Sequence, residues 1–255
     1  METTCECGHT IEYTNEDVKH FHKIMCGDST SAEDVWLLMS GVRADAVVTD
    51  PPYGMNLDTH YKRGNTGSYN GVSDNNRNNY RPVVGDDNDF DPLPIMKLFY
   101  AKEEFWFGAD YYAEKIANKN NGSWLVWDKR AGIEDINFNL SSFELVWSKK
   151  KHLREIIRVK WFGIQGMEKQ DTKTRQHPTQ KPIEVITWIL EKYCGDLIVD
   201  PFLGSGTTLV ACEQTGRVGC GMEIDPAYTA VCLERMAGLG LTPAKTKAIT
   251  NECMG

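Results

Sequence analysis

Leu197-Ile198-Val199-Asp200-Pro201-Phe202-Leu203-Gly204-Ser205-Gly206-Thr207-Thr208 decides the fold. Leu197 to Val199 is wholly apolar, the composition of a strand buried on both faces. Gly204 to Gly206 forms a turn permitting close backbone approach, and Thr207 opens a helix reaching Thr215. Val218 to Met222 follows as a strand, and Asp225 caps a last helix through Met236. Upstream, Pro182 starts a helix that turns Ile183, Ile186, Ile189 and Leu190 inward and stops at Gly195.

The same alternation runs toward the N-terminus. Ala46 to Thr49 is a strand, ended by Asp50-Pro51-Pro52 because prolines cannot donate to a ladder. Before it, Ser31 caps a helix that places Val35, Leu38 and Met39 on one face and stops at Gly41, and Ile24 to Cys26 is a buried strand. Phe105 to Phe107 and Trp124 to Trp127 bracket an expected helix around Asp110 to Asn118. Strands alternating with helices imply the α/β class, a doubly wound, mostly parallel sheet.

Three stretches depart from that rhythm. Tyr61 to Arg81, with six Asn, three Gly, Lys62, Arg63, Arg77 and Arg81, is too polar to order by burial and reads as a mobile loop. Phe143 to Gly163 reads as a hairpin around the basic turn Lys149 to Arg154. The small, polar tail beyond Gly238 is expected to fray.

Composition narrows the class. The 255 residues are 41% hydrophobic and 25% charged, ordinary globular values that exclude a disordered, collagenous or coiled-coil chain. No apolar run approaches the length of a membrane span, and Met1 to Thr10 lacks the apolar core of a secretory signal, so a cytoplasmic protein is expected. Eight cysteines scattered through core segments read as reduced thiols. Cys5, Cys7 and His9 with His20, His22 and Cys26 could suggest a zinc knuckle, but Cys5-x-Cys7 is tighter than the usual gap between zinc-binding cysteines and Cys26 is expected in a strand, so no metal is expected. The net charge of −8 is uneven: residues 149–181 hold ten Lys or Arg against three acids. That basic segment on an acidic body suits phosphate contact, with Lys149, Lys150, Lys151, Arg154, Arg158 and Arg175 joining Lys62, Arg63, Arg77 and Arg81 as candidates.

Chemistry concentrates in four motifs. Asp50-Pro51-Pro52-Tyr53 puts a carboxylate, a rigid carbonyl and an aromatic ring at a strand's C-terminal end, where open α/β sheets bind ligands. His177-Pro178-Thr179-Gln180-Lys181-Pro182, the glycine turn at 200–208 and Gly221-Met222-Glu223-Ile224-Asp225 follow in that order. From Ile24 to Met236 the chain resembles the DNA amino-methyltransferases of the circularly permuted β group, in which the catalytic tetrapeptide precedes the donor-binding half.

The resemblance implies a Rossmann-like S-adenosylmethionine-dependent methyltransferase fold with a small target-recognition hairpin, and S-adenosyl-L-methionine as methyl donor. It also implies double-stranded DNA as partner and adenine N6 as target after base flipping, because family members acting on cytosine N4 more often carry Ser at position 50. Cytosine N4, RNA with the same chemistry, and a non-catalytic binding relic stand as alternatives. A delocalised amine needs an acceptor that draws its nitrogen toward tetrahedral geometry, a task for Asp50 and the Pro51 carbonyl, while Tyr53 stacks the base. For the donor, the resemblance and the local chemistry together point to Asp28, Thr179, Lys181, Asp200, Phe202, Gly204, Ser205, Gly206, Thr207 and Glu223. Glu223 would take the ribose hydroxyls, Asp200 the ammonium and Asp28 the adenine amine, and the amides opening the Thr207 helix would take the carboxylate. One copy offers some thirty residues for recognition, so a homodimer is expected.

Overall fold

A computed structural model describes residues 2–4, 10–12, 21–56, 81–132, 141–161, 180–241 and 246–250. Strands β1 (Glu2–Thr4) and β2 (Thr10–Glu12) pair antiparallel as a separate two-stranded sheet. The main sheet has nine strands: β3 (His22–Cys26), β4 (Ala46–Thr49), β5 (Glu103–Phe107), β6 (Ser123–Asp128), β7 (Phe143–Ser148), β8 (Ile156–Arg158), β9 (Leu197–Asp200), β10 (Val218–Glu223) and β11 (Thr246–Thr250). Their order is β11-β3-β10-β9-β4-β5-β7-β6-β8, and β7 alone runs against the rest.

Both faces of the sheet are covered. In β4 every residue is buried but the faces alternate: Val47 packs with α1 (Ala32–Met39) and α2 (Leu93–Leu98), and Ala46 and Val48 pack with α3 (Ile183–Tyr193) and α4 (Thr207–Gln214). A third cluster joins Ile24 to Leu209, Val210, Cys232 and Met236 beneath α5 (Pro226–Gly238). The expected caps form: Ser31 accepts from Asp34 N–H, and Asp225 accepts from Ala227 N–H. Five described cysteines, at 26, 194, 212, 220 and 232, are free thiols.

Three expectations fail. Between β5 and β6 there are only two short 3-10 turns, Ala113–Lys115 and Lys119–Asn121, and the α-helix of this region is α2, before β5. Phe143 to Trp161 is not a hairpin: β7 pairs antiparallel with both β5 and β6, and β8 pairs parallel with β6 on its far side. The connection after Ser148 therefore crosses one intervening strand, two strand spacings or about 10 Å, within reach of seven residues. Beyond Gly238, β11 forms the sheet edge beside β3 instead of fraying, its backbone filling the β3 ladder.

Candidate active site

The tips of β4 and β9 meet. Ala46 and Val47 pair with Ile198 and Val199, and beyond that register Thr49 Oγ1 donates to Asp200 Oδ1 at 2.7 Å. Pro51 and Pro52 stop β4 there, leaving Asp50 at the rim with 18% of its side chain exposed. The following turn is anchored by Asp86, whose Oδ1 accepts the backbone N–H groups of Tyr53, Gly54 and Met55 at 3.1 to 3.2 Å.

Four charged groups converge at the rim. Lys181 Nζ lies 2.6 Å from Asp50 Oδ2 and 2.9 Å from Glu144 Oε1, and Lys129 Nζ lies 2.8 Å from Glu144 Oε2. The Tyr53 hydroxyl donates to Asp50 and stands 3.1 Å from Glu144, while its ring stacks on Tyr111 at 5.1 Å. Burial lifts the Asp50 carboxyl above the usual carboxylate range, with the Glu144 charge adding to the rise and Lys181 opposing it. Burial would also raise Glu144, but Lys181 and Lys129 outweigh it and bring Glu144 down to about 2. Lys181 is pushed up, since Asp50 and Glu144 together overcome its desolvation.

From this cluster a cleft of about 660 Å³ runs across the tips of β9, β10 and β3. Asp50, Pro51, Pro52, Tyr53, Asp28, Lys181, Asp200, Phe202, Gly204, Ser205, Thr207 and Glu223 all line it. Gly206 stands behind its wall at φ +82°, capping α4, where an added Cβ would meet Cys232 Sγ at 3.0 Å. Glu223 accepts from Gly204 N–H at 2.8 Å through one oxygen and from Asp225 N–H at 2.9 Å through the other, which leaves about two acceptor positions facing the cleft. Burial lifts it to about 7. Asp200 is more committed: besides Thr49 it accepts Thr208 Oγ1 at 2.6 Å and Phe202 N–H at 3.1 Å, and burial raises it to about 6. The exposed Asp28 holds Thr30 through one oxygen. Phe202 meets Phe90 edge-on at 5.7 Å, giving the cleft a flat apolar wall.

A family model described as DNA methylase, of N6/N4 type, matches residues 74–234. The chain belongs to that family. The methyl donor of these methylases is S-adenosyl-L-methionine, and the cleft fits it: its volume lies in the range of small-molecule sites, with free carboxylate acceptors at Glu223 and a helix N-terminus at Thr207. Type II methyltransferase M.HpaI of Haemophilus parainfluenzae is 24% identical over 226 residues, 75% of this methylase and 68% of that enzyme. Type II methyltransferase M2.DpnII of Streptococcus pneumoniae is 27% identical over 134 residues, 46% of this chain and 50% of its own. Among solved structures, the M1.HpyAVI–SAM complex superposes with a TM-score of 0.55 at 18% identity, covering 84% of this chain and all of that one. The cytosine-N4-specific PvuII DNA methyltransferase gives 0.52 at 15%, covering 85% and 87%. Those two likenesses speak for the fold.

Among the described residues, only part of the expected basic set lies near the methylase cleft. Because β7 runs antiparallel, Lys149, Lys150, Lys151 and Arg154 follow its end at the opposite edge of the sheet, about 13 Å beyond Glu144. There Lys149 Nζ binds Glu104 at 2.7 Å, Lys150 N–H binds Glu103, and Lys151 Nζ binds the Asn120 carbonyl. Arg158 does reach the rim, 3.9 Å from Asp128, and Arg81 pairs with Asp225 at 2.7 Å beside the donor cleft. Lys62, Arg63, Arg77, Arg175 and Thr179 lie outside the described residues, as do Cys5, Cys7, His9 and His20. His22 spends both ring nitrogens, on Glu213 at 3.0 Å and Gly219 N–H at 2.9 Å. No group of three metal-ligating side chains occurs among the described residues, and no helix there is long and apolar enough to cross a membrane.

Sequence reading missed Glu144, Lys129, Asp86 and Tyr111. Glu144 carries no distinctive local signal, since the buried positions that follow it in β7, Val146, Trp147 and Ser148, fall on both faces of the strand.

Proposed function

We propose that this methylase transfers a methyl group from S-adenosyl-L-methionine to the N6 amine of adenine in a short duplex DNA sequence, with the base extruded into the Asp50 rim. The observation that carries the reading is the Thr49–Asp200 bond, which seats the acceptor carboxylate at the edge of the donor cleft. Held by Glu223 and the Thr207 helix N-terminus, the donor would supply an electrophilic methyl, its carbon–sulfur electrons staying on sulfur as the carbon–nitrogen bond forms, and the amine's proton would pass through Asp50 to solvent. Asp50 and the Pro51 carbonyl accept the amine N–H groups and turn its lone pair toward the cleft. Tyr53, backed by Tyr111, replaces the stacking lost from the duplex. Arg158 and Arg81, both exposed, would meet phosphates near the rim. The small recognition surface supports a homodimer.

Adenine is favoured over cytosine N4 by Asp at position 50. Incubation with duplex DNA and labelled donor, followed by nucleoside analysis, should yield N6-methyladenine, and N4-methylcytosine alone would overturn the base assignment.

Two further results are expected. Donor hydroxyl and ammonium groups donate hydrogen bonds, so they favour ionised Glu223 and Asp200, whose protons must leave first. Affinity therefore rises with pH up to about 7 and then levels, with calorimetry near pH 6 giving roughly tenfold weaker binding than at pH 8. An affinity flat from pH 5.5 to 8 would remove Glu223 from the donor site. Replacing Lys150 and Lys151 with glutamate should change kcat/KM for DNA less than threefold, because both lie at the far edge, whereas Arg158→Glu should weaken DNA binding about tenfold or more and reduce its salt dependence. Filter binding across a salt series checks both.

A further inference from the structure

As an acceptor, Asp50 faces a difficulty that the rim geometry resolves. In the free protein it is already occupied by the Lys181 ammonium at 2.6 Å and the Tyr53 hydroxyl. A mostly buried carboxylate stripped of its cation takes up a proton and ceases to accept, yet one locked to an ammonium competes poorly for a neutral amine. Lys181 is not locked, because Glu144 Oε1 stands 2.9 Å from the same nitrogen. Glu144 is itself held in place by Lys129 at 2.8 Å and stands 3.1 Å from the Tyr53 hydroxyl.

We propose that Glu144 is a positioning residue for methyl transfer: it shares the Lys181 ammonium with Asp50, so that the incoming amine can take an Asp50 oxygen while Lys181 shifts onto Glu144. This role rests on the proposed function of Asp50 as the amine acceptor. The two carboxylates and two ammonium groups stay in one cluster in both states, at 11 to 23% side-chain exposure, and Lys181, leaning onto Glu144, remains beside Asp50 as the neighbouring cation that keeps it ionised. Glu144 needs no contact with the base. The groups facing this cluster are Lys181, Tyr53, Lys129 and, across the β4–β9 seam, Asp200, with Asp110, Tyr111 and Tyr112 beyond β5.

The test is Glu144→Gln, which keeps the shape and removes the charge. Single-turnover methylation should slow about 30-fold, with donor and DNA dissociation constants within threefold of the parent. Because the Glu144 charge holds Asp50 up, the acidic limb of the rate profile should move to lower pH. Neutralising Glu144 alone takes the carboxylate from Lys129, which Asp50 does not reach, and can weaken folding, so Glu144→Gln with Lys129→Met is the companion variant. It should melt near the parent temperature yet stay as slow as the single variant, and Glu144→Asp should regain part of the rate. A balanced double variant turning over within threefold of the parent, or an unmoved acidic limb, would overturn the role of Glu144. If Asp50→Ala is inactive while both Glu144 variants are normal, only the role of Glu144 falls; if Asp50→Ala is active, the acceptor role of Asp50 falls as well.

Discussion

Asp50→Ala is expected to lower the single-turnover rate of DNA methylation by roughly 10³-fold or more while leaving the dissociation constant for S-adenosyl-L-methionine within threefold of the parent. The split follows from where the carboxylate stands. Asp50 touches Lys181 and Tyr53 but none of the groups that shape the far cleft, where Glu223 is tied to Gly204 and Asp225. Removing it leaves Lys181 paired with Glu144, so the rim keeps a partner for every ammonium and the fold should hold. Rapid-quench kinetics and calorimetry on one preparation separate the two effects. A rate within tenfold of the parent, or lost donor binding, would contradict the assignment of Asp50 as acceptor.

The second large effect comes from a residue without a side chain. Gly108 sits at φ +59°, its N–H held by the Leu145 carbonyl, and a Cβ added there would lie 2.2 Å from Cζ of the Tyr53 ring. The ring would have to leave, breaking its stack on Tyr111 and withdrawing its hydroxyl from Asp50 and Glu144. Gly108→Ala should therefore cut the rate about 100-fold, since displacement of about an ångström is enough for that. Stability should fall by about 1 to 2 kcal/mol for alanine in left-handed backbone and by a further ~1 to 3 kcal/mol for the displaced ring. Thermal melting beside single-turnover rates checks this. A near-normal rate would mean that the position of Tyr53 is immaterial to transfer.

What could be read from the sequence was local. The β4 strand, its proline stop, the glycine turn after β9 and the Asp225 cap each follow from a few neighbouring residues, and the cleft they line could be anticipated from them. Pairing over long separations could not. Leu145 to Trp147 and Ile156 to Trp161 look alike whether they face each other or straddle β6, because Trp124 and Val126 offer Trp147 and Leu145 equally good cross-strand partners. The antiparallel direction of β7, equally invisible in the sequence, sets Lys149 to Arg154 at the end of the sheet away from the rim, where Lys149 pairs with Glu104 and Lys150 N–H with Glu103. Lys181 was legible as part of a motif, but its engagement with Asp50 and Glu144 depends on three segments meeting in space. Asp200 looked free for a ligand, yet Thr49, Thr208 and Phe202 already use much of its capacity.

The measurement that bears most directly on the meeting of the two strand tips is a crystal structure with S-adenosyl-L-homocysteine bound. Its ribose hydroxyls should lie on Glu223 and its sulfur should face the opening beside Asp50, in line for an amine accepted by that carboxylate. A sulfur turned away from Asp50, or a ligand seated outside the cleft between β4 and β10, would contradict the assignment.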